Sequence, residues 1–135
     1  MASWLIPCSP VVYDAESAFQ EYGHVVWHQD CNVAVGDTVY IYVTAPVKSI
    51  RCRCVITDAD MPADPGGDDG YVLDEAFCAR NHRRYMDLKL QETYDTHLLD
   101  YRMLLMNGLT APIRSQRRVP PKLAQYLAQW TTNHA

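Results

Sequence analysis

The sequence predicts one α+β domain, built on a mixed, mostly antiparallel sheet that curves into an open barrel and is flanked by short helices. The chain has 135 residues, of which 48% are hydrophobic, and this suits one domain with one core. Two adjacent segments alternate apolar and polar residues with the period of a strand. The short helical segments lack the regular strand–helix alternation of a doubly wound sheet. We therefore assign residues 1–135 to one domain.

The N-terminal region is predicted to form a strand, a helix and a second strand. Residues 4–7 are typical of a short buried strand. Asp14 is a suitable N-cap for a helix over residues 15–22, and Gly23 is suited to end that helix. Residues 25–27 are apolar and extended in character.

Two alternating segments predict the central strands. Residues 38–44 follow a turn at 35–37, and their alternation places Tyr40, Tyr42 and Thr44 on the face opposite the valine and isoleucine side chains. Residues 49–57 alternate in the same way, with Ile50, Cys52 and Cys54 on the apolar face. We expect these two strands to be antiparallel neighbours.

The second half is predicted to contain fewer strands and more helix. Residues 61–70 form a loop rich in proline, glycine and aspartate, and residues 74–84 suit a short helix. Residues 85–92 are expected to be a strand, and Thr96 is expected to cap a helix over 97–107 that Gly108 ends. After an extended stretch at 111–119, Pro121 suits the first turn of a last helix, whose apolar stripe includes Leu123 and Leu127.

Composition limits the location and chemistry of the protein. No apolar run is long enough for a membrane span, and the N-terminus lacks the features of a signal peptide, so we expect a cytoplasmic protein with no membrane partner. The five cysteines form no Cys-x-x-Cys motif, and the five histidines show no metal-ligand spacing. We therefore expect reduced thiols, no metal, no cofactor and no catalytic residue.

Charge is distributed unevenly along the chain. The net charge is −4, which by itself disfavours phosphate binding. Residues 1–79 carry 12 acidic and three basic side chains, whereas residues 80–135 carry four acidic and nine basic ones. This asymmetry is compatible with a basic face on an otherwise acidic protein.

Several segments match a known pattern in order and spacing. The segments 4–10, 13–14, 27–29 and 35–43 resemble the N-terminal half of EVE-type domains, which have a PUA-like fold. The segments 85–90, 104–109 and 111–119 are similar to the C-terminal half of those domains. Together these segments cover nearly the whole chain, so we identify a resemblance to the EVE-type domains of the PUA-like superfamily.

The resemblance implies a curved sheet that receives a flipped-out base. Related domains recognise modified cytosines in DNA, and the wider superfamily binds RNA. Several such domains are fused to nucleases or encoded with them in modification-dependent restriction. The implied ligand is therefore a 5-modified cytosine in DNA, with RNA as an alternative and a separately encoded or fused nuclease as a possible partner.

A base that leaves the duplex needs new stacking and new hydrogen bonds, which aromatic and polar side chains provide. Trp27 occupies the position that resembles the pocket tryptophan of the family, with a polar neighbour close by. The other candidate base-binding residues lie after the first strand and on or beside the central strands. They are Ser9, Tyr13, Gln29, Tyr42 and Thr44. The alternative is that the aromatic members of this set are ordinary packing residues.

Basic residues supply candidates for the nucleic-acid backbone. Arg114, Gln116, Arg117 and Arg118 form a polar, cationic cluster before two prolines, and Lys48 follows the central strand. Arginine forks match phosphate oxygens, and glutamine can bond to a base edge. The alternative is a solvated loop whose arginines maintain solubility.

These residues lead to three hypotheses about function. The leading hypothesis is a non-catalytic reader of a modified base. A second is an amidohydrolase that acts on an acylated pyrimidine nucleoside, for which Thr44 and Lys48 are the only suitable pair; their spacing does not resemble the Lys-x-x-Thr signature of that PUA-related family. A third is an accessory protein that docks on a nuclease or another partner.

Overall fold

The computed structural model describes residues 2–11, 13–62 and 84–133, with side chains as far as residue 129. Within these residues the strands are β1 (Ser3–Cys8), β2 (His24–His28), β3 (Thr38–Val43), β4 (Ser49–Met61), β5 (Tyr85–Thr93) and β6 (Arg117–Arg118). The helices are α1 (Ala15–Tyr22), a 3-10 turn (His97–Leu99), α2 (Tyr101–Met106) and α3 (Pro121–Asn133). Of the loop predicted over residues 61–70, Met61 instead ends β4, and residues 63–70 lie outside the described residues. Of the helix predicted over residues 74–84, all but residue 84 lie outside them as well.

The six strands form one curved, unclosed sheet in the order β2-β5-β4-β3-β1-β6. β1 and β3 are parallel, and every other neighbouring pair is antiparallel. This confirms the predicted mixed, mostly antiparallel sheet and the predicted pairing of β3 with β4. β2 and β6 are left as the two edges of the sheet.

Local signals in the sequence fix the boundaries of α1. The side chain of Asp14 accepts a hydrogen bond from the Ser17 N–H at 3.2 Å, which satisfies one of the free donors at the start of the helix. Gly23 ends the helix with φ 72° and donates its N–H to the Phe19 carbonyl. Glycine tolerates this left-handed conformation without a steric penalty, so the chain can turn directly into β2.

The sheet carries a hydrophobic core on each face. Val39, Ile41 and Val43 pack on one face, the inner one, together with α1 and β2. Tyr40 and Tyr42 pack on the other, outer face. The C-terminal helices cover that outer face through Leu104, Leu109, Leu123 and Leu127. The alternation predicted for β3 is therefore confirmed.

The face predicted for Ile50 is wrong. Ile41 pairs with Cys52 but Tyr42 pairs with Ile50, so Arg51 is an extra residue in β4. A bulge of this kind reverses the alternation beyond it. Ile50 therefore packs in the outer core, whereas Cys52 stays in the inner core.

The helix predicted over residues 97–107 is interrupted. Thr96 does cap the first turn, since its side chain accepts the Leu98 N–H. That turn stops at Asp100, whose backbone is extended at φ −74° and ψ 167° and whose carboxylate accepts the Met103 N–H at 2.9 Å. Asp100 is the N-cap of a second short helix, because a capping aspartate competes with continued helix.

The C-terminal helix begins at Pro121, as predicted. Leu123 and Leu127 of its apolar stripe are buried against the outer face of the sheet. None of the helices in the described ranges combines the length and the apolar character that a membrane span requires.

Candidate nucleic-acid interface

Tyr13 and Trp27 form an aromatic pair between the start of α1 and the end of β2. Their ring centroids lie 5.5 Å apart with the planes at 86°, an edge-to-face contact. Trp27 is only 7% exposed, and Tyr13 packs against the same core from a half-buried position. The buried Trp27 Nε1–H has no hydrogen-bond partner among the described residues. Such a donor is unusual in a native protein and is available to an acceptor that approaches the pair.

Gln116 connects the two edges of the sheet. Its Nε2 donates to the His28 carbonyl oxygen at 2.8 Å, and its Oε1 accepts the Asp30 N–H at 2.7 Å. The thiol of Cys31 also lies 3.3 Å from Oε1. Because Gln116 directly precedes β6 and His28 ends β2, these bonds hold the arginine segment beside the loop that follows Trp27.

Gln29 is fully engaged in holding that loop. Its amide nitrogen donates to the Cys31 carbonyl at 2.9 Å and to the Asp60 carboxylate at 3.0 Å, and its amide oxygen accepts the Asp60 N–H. Asp60 has a positive φ of 55°, which is strained for a residue other than glycine, and these bonds offset the strain. Gln29 is 3% exposed, and its side chain stabilises the loop that follows Trp27.

The segment 114–118 carries three arginine side chains close to the loop that follows β2. Arg118 lies 5.4 Å from the Trp4 ring centroid in a cation–π contact, and its side chain is exposed. Arg114 is exposed and Arg117 is half-buried. Within the part of the chain that the structure describes, none of the three forms an ion pair. Their guanidinium groups remain available to an anion.

A shallow cavity of about 130 Å³ opens where β1 and β3 end and α1 begins. Its lining consists of Cys8, Pro10, Tyr13, Asp14, Ala15, Glu16 and Val43. Tyr13 thus contributes both to the cavity and to the pair with Trp27. Ser9 precedes this turn, where its carbonyl accepts the Tyr13 N–H at 3.1 Å. The backbone of Ser9 is therefore bonded to that of Tyr13, whereas the described lining of the cavity includes neither Ser9 nor Trp27.

Tyr42 lies apart from the aromatic pair of Tyr13 and Trp27. It is 5% exposed on the outer face, where its ring packs 6.2 Å from that of Tyr101. Burial, with the nearby Tyr101 and Asp100, raises the pKa of Tyr42 to about 12. The structure does not bring the Tyr42 ring to Trp27, which belongs to the inner core.

Thr44 and Lys48 form the turn after β3. The Thr44 N–H donates to the Cys8 carbonyl at 2.9 Å, so Thr44 lies beside the cavity lining. Lys48 is exposed with a positive φ of 53°, and the two residues are joined by a backbone contact of 3.4 Å from the Lys48 nitrogen to the Thr44 oxygen.

A supporting carboxylate was not predicted from the sequence. Asp37 is 5% exposed and accepts hydrogen bonds from the Trp4 indole at 2.9 Å, from the Ala34 N–H at 2.9 Å and from the Ala2 N–H at 3.1 Å. Burial opposes its charge, but these bonds prevail and lower the pKa of Asp37. The aspartate of the turn at 35–37 therefore orients Trp4, on which Arg118 rests.

Two of the described thiols, those of Cys31 and Cys52, are poor nucleophiles. Burial, with a contribution from Asp30, raises the pKa of Cys31 to about 11, and burial raises the pKa of Cys52 to about 12. Since the thiolate is the reactive form, these cysteines remain protonated at neutral pH. Among the residues that the structure describes, no three His, Cys, Asp or Glu side chains group as metal ligands.

Comparison with known proteins identifies the fold. Neither a family model nor a curated protein matches the sequence. The ASCH protein of Zymomonas mobilis is similar in structure, with a TM-score of 0.65 at 14% identity over 95% of this chain and 94% of that one. Crystal structures of proteins from Pseudomonas syringae and Pseudomonas putida are similar as well. The first has a TM-score of 0.65 at 20% identity, covering 95% of this chain and 99% of its own. The second has a TM-score of 0.64 at 21% identity, covering 95% and 98%.

These likenesses extend along almost the whole of each chain, although the sequences have diverged widely. They show that these proteins share the overall fold of this chain. The chain therefore has a PUA-like fold of the kind found in ASCH domains.

Proposed function

We propose that this protein is a non-catalytic module that binds nucleic acid and holds one flipped-out base against Tyr13 and Trp27. A 5-modified cytosine in DNA is the favoured base, in keeping with the resemblance to EVE-type domains. The observation that carries the proposal is the bridge made by Gln116, whose bonds to His28 and Asp30 hold the segment that carries Arg114, Arg117 and Arg118 against the residues that follow Trp27.

The aromatic pair can supply stacking and a hydrogen bond to an extruded base. Such a base loses stacking and pairing worth a few kcal/mol, which the protein must replace. Tyr13 offers a ring at the cavity, and the buried Trp27 N–H offers a hydrogen bond that no described residue uses. A base edge with an acceptor atom satisfies that donor.

The arginine segment can bind the phosphates on either side of that base. Arg114, Arg117 and Arg118 lie on one short segment, and a guanidinium group can bond a phosphate through two N–H donors. Lys48 is exposed in the turn beside the cavity and is a further candidate for a phosphate contact. Binding through these groups is electrostatic, so it must weaken as salt rises.

The proposed function is binding alone, with no catalytic step. The raised pKa values of Cys31 and Cys52 support it, because they leave these thiols protonated at neutral pH and therefore poor nucleophiles. A nuclease partner, fused or separately encoded, would then cleave the DNA that this module selects. Binding to RNA in preference to DNA is the other outcome that the experiment distinguishes.

The test is the affinity of short single-stranded and duplex oligomers for the wild type and for Trp27→Phe. Phenylalanine keeps most of the buried volume and removes the indole N–H, so the fold is retained while the base contact weakens. We expect fluorescence anisotropy to show an affinity about fivefold lower for Trp27→Phe, because the lost hydrogen bond is worth about 1 kcal/mol. DNA and RNA oligomers of one sequence, with plain or 5-methylated cytosine, identify the preferred nucleic acid.

The arginines are tested separately, with a matched control. Replacing Arg114 and Arg118 by alanine should reduce the salt dependence of binding by about 0.7 in log–log slope per lost phosphate contact on a single strand. Arg102→Ala, at an exposed position on α2, removes the same charge outside the segment and should leave the slope unchanged. An equal effect of both substitutions, or equal affinity of Trp27→Phe and wild type, contradicts the proposal.

A further inference from the structure

Arg118 is held over an aromatic ring at the edge of the sheet. Its guanidinium carbon lies 5.4 Å from the centroid of the Trp4 ring, and the two residues pair across β6 and β1. The next residue is fixed as well, since the Val119 N–H donates to the Ser3 carbonyl at 2.9 Å. An exposed arginine ordinarily samples many rotamers, and ordering it costs free energy when a ligand binds. The contact with Trp4 lowers that cost, because it restricts the side chain beforehand.

A buried carboxylate fixes the ring beneath Arg118. The Trp4 Nε1–H donates to the Asp37 carboxylate at 2.9 Å. Although burial opposes the charge of Asp37, the bonds from Trp4, Ala34 and Ala2 lower its pKa, so the carboxylate is ionised at neutral pH. A hydrogen bond to a charged acceptor shifts electron density into the indole, and a more electron-rich ring attracts a cation more strongly. Asp37 can therefore act on Arg118 through Trp4.

The contact with the ring leaves the hydrogen-bond donors of Arg118 unused. A cation–π contact attracts the guanidinium through the electrons of the ring, so it consumes none of the five N–H donors of an arginine. Within the described residues, Arg118 forms no ion pair and no side-chain hydrogen bond. A guanidinium that is oriented and still has free donors suits a phosphate, whose oxygens accept two N–H groups at once.

The register of the sheet separates Arg118 from its neighbour Arg117. Directly paired residues of antiparallel strands project to the same face. Arg118 pairs with Trp4, which belongs to the inner core together with Trp27. Arg117 pairs with Leu5, which belongs to the outer core. Arg118 is therefore directed to the face that carries Trp27, and Arg117 is directed to the opposite face.

We propose that Asp37 and Trp4 are positioning residues: through the cation–π contact they hold Arg118 on the face of Trp27, where Arg118 binds a phosphate of the nucleic acid and Arg117 does not. The inference rests on the proposed function, which supplies the phosphate. It distinguishes two arginines that are equivalent in the sequence, because the faces of β6 and the approach of Trp4 exist only in the folded sheet.

The experiment is a double-mutant cycle between Trp4 and Arg118. Its readout is the affinity of a fluorescein-labelled single-stranded DNA oligomer, measured by anisotropy over a range of salt concentrations. Arg118→Ala should lower the log–log salt slope by about 0.7, the value for one phosphate contact on a single strand. Trp4→Leu should lower the affinity about two- to fivefold, as expected for a cation–π contact at an exposed site. It should have no further effect when residue 118 is already alanine.

Three further variants separate positioning from a general effect on the fold. Trp4→Phe keeps an aromatic ring without the indole N–H, so it should restore part of the affinity that Trp4→Leu loses. Asp37→Asn removes the charge that polarises the indole, and should lower the affinity only while Arg118 is present. Arg117→Ala removes an equal charge from the neighbouring position and should retain the wild-type salt slope. Circular dichroism checks that each variant is folded.

The outcomes distinguish this inference from the proposed function. Suppose that binding depends on Trp27, but Trp4→Leu costs the same affinity with and without Arg118. That result overturns the inference and leaves the proposed function standing, as does an equal loss of salt slope in Arg117→Ala and Arg118→Ala. If Trp4→Leu does not fold, the cycle is made with Trp4→Phe, for which a smaller coupling of the same sign is expected and its absence overturns the inference. Failure of the wild type to bind the oligomer overturns both.

Discussion

At the scale of single residues, buried polar groups divide into those that are satisfied and those that are not. Gln29 and Gln116 use their amides within the protein, and Asp37 accepts three hydrogen bonds. The Trp27 N–H and the Ser49 hydroxyl have no partner among the described residues. The satisfied groups stabilise the fold, and the unsatisfied ones are the candidates for ligand contact.

Asp37 should make stability depend on pH. The pKa of Asp37 is lowered in the folded state, so its charged form stabilises the fold at pH values above its ordinary pKa, near 3.8. This contribution is lost as the pH falls through the lowered value. Asp37→Asn should therefore lower the free energy of unfolding at pH 7 by about 1–3 kcal/mol.

Urea unfolding of both proteins between pH 7 and pH 2 measures this difference. The gap between wild type and Asp37→Asn should be constant from pH 7 to about pH 5 and should narrow as the solution becomes more acidic. A gap that stays the same at pH 2 would show that the Asp37 charge has no role. Asp58→Asn, at an exposed position of β4, is the matched control and should change little at any pH.

At the scale of elements, two sets of side-chain hydrogen bonds are important, one at the candidate site and one at the C-terminal helices. The first is Gln116, which ties the segment before β6 to the end of β2 across the open side of the sheet. The second is the run of caps around the C-terminal helices, where Thr96 and Asp100 each accept a backbone N–H. Both devices are hydrogen bonds between one side chain and the backbone, so single substitutions can test them.

Loss of the Gln116 bridge should lower both the stability of the fold and the affinity for oligomers. In Gln116→Ala the bonds to His28 and Asp30 are absent, so the arginine segment is no longer held beside Trp27. We expect the free energy of unfolding to fall by about 1–2 kcal/mol. We expect oligomer affinity to fall by roughly tenfold, since several contacts lose their alignment together.

Gln125→Ala is a suitable comparison, because Gln125 is exposed on α3. It should affect neither quantity. If Gln116→Ala binds oligomers as tightly as the wild type, the arginine segment does not depend on the bridge.

Removal of the second cap should destabilise α2. Asp100→Ala leaves the Met103 N–H without its acceptor, and loss of an N-cap costs about 1 kcal/mol on average. Thermal unfolding followed by circular dichroism should show a lower midpoint. Asp95→Ala, at an exposed acid, is the control; a midpoint equal to the wild-type value in Asp100→Ala would mean that the cap is unimportant.

At the scale of the whole molecule, the sheet is covered on both faces and its centre is closed to solvent. Cys52 and Cys54 are 0% exposed in the inner core, and burial raises the pKa of both thiols. A reagent reaches such side chains only when the structure opens. Their reactivity therefore reports on unfolding of the sheet.

Alkylation by iodoacetamide should leave these two thiols unmodified in the folded protein at pH 8 and modify them quantitatively in urea. Peptide mass spectrometry resolves the positions. Cys31 is half-buried and serves as the internal comparison, which should react before the core thiols do. Modification of Cys52 at the same rate as Cys31 would contradict the closed core.

The sequence by itself determined the α+β class, the caps of α1, the two faces of β3 and the pairing of β3 with β4. These features depend on local periodicity and on single capping residues, so neighbouring residues suffice to predict them. Only the tertiary structure decided the bulge that turns Ile50 outward, the break at Asp100 and the separation of Tyr42 from Trp27. The approach of Gln116 to His28 depends likewise on how the sheet curves. Contacts between residues this far apart in the chain depend on packing of the whole sheet, which no local pattern encodes.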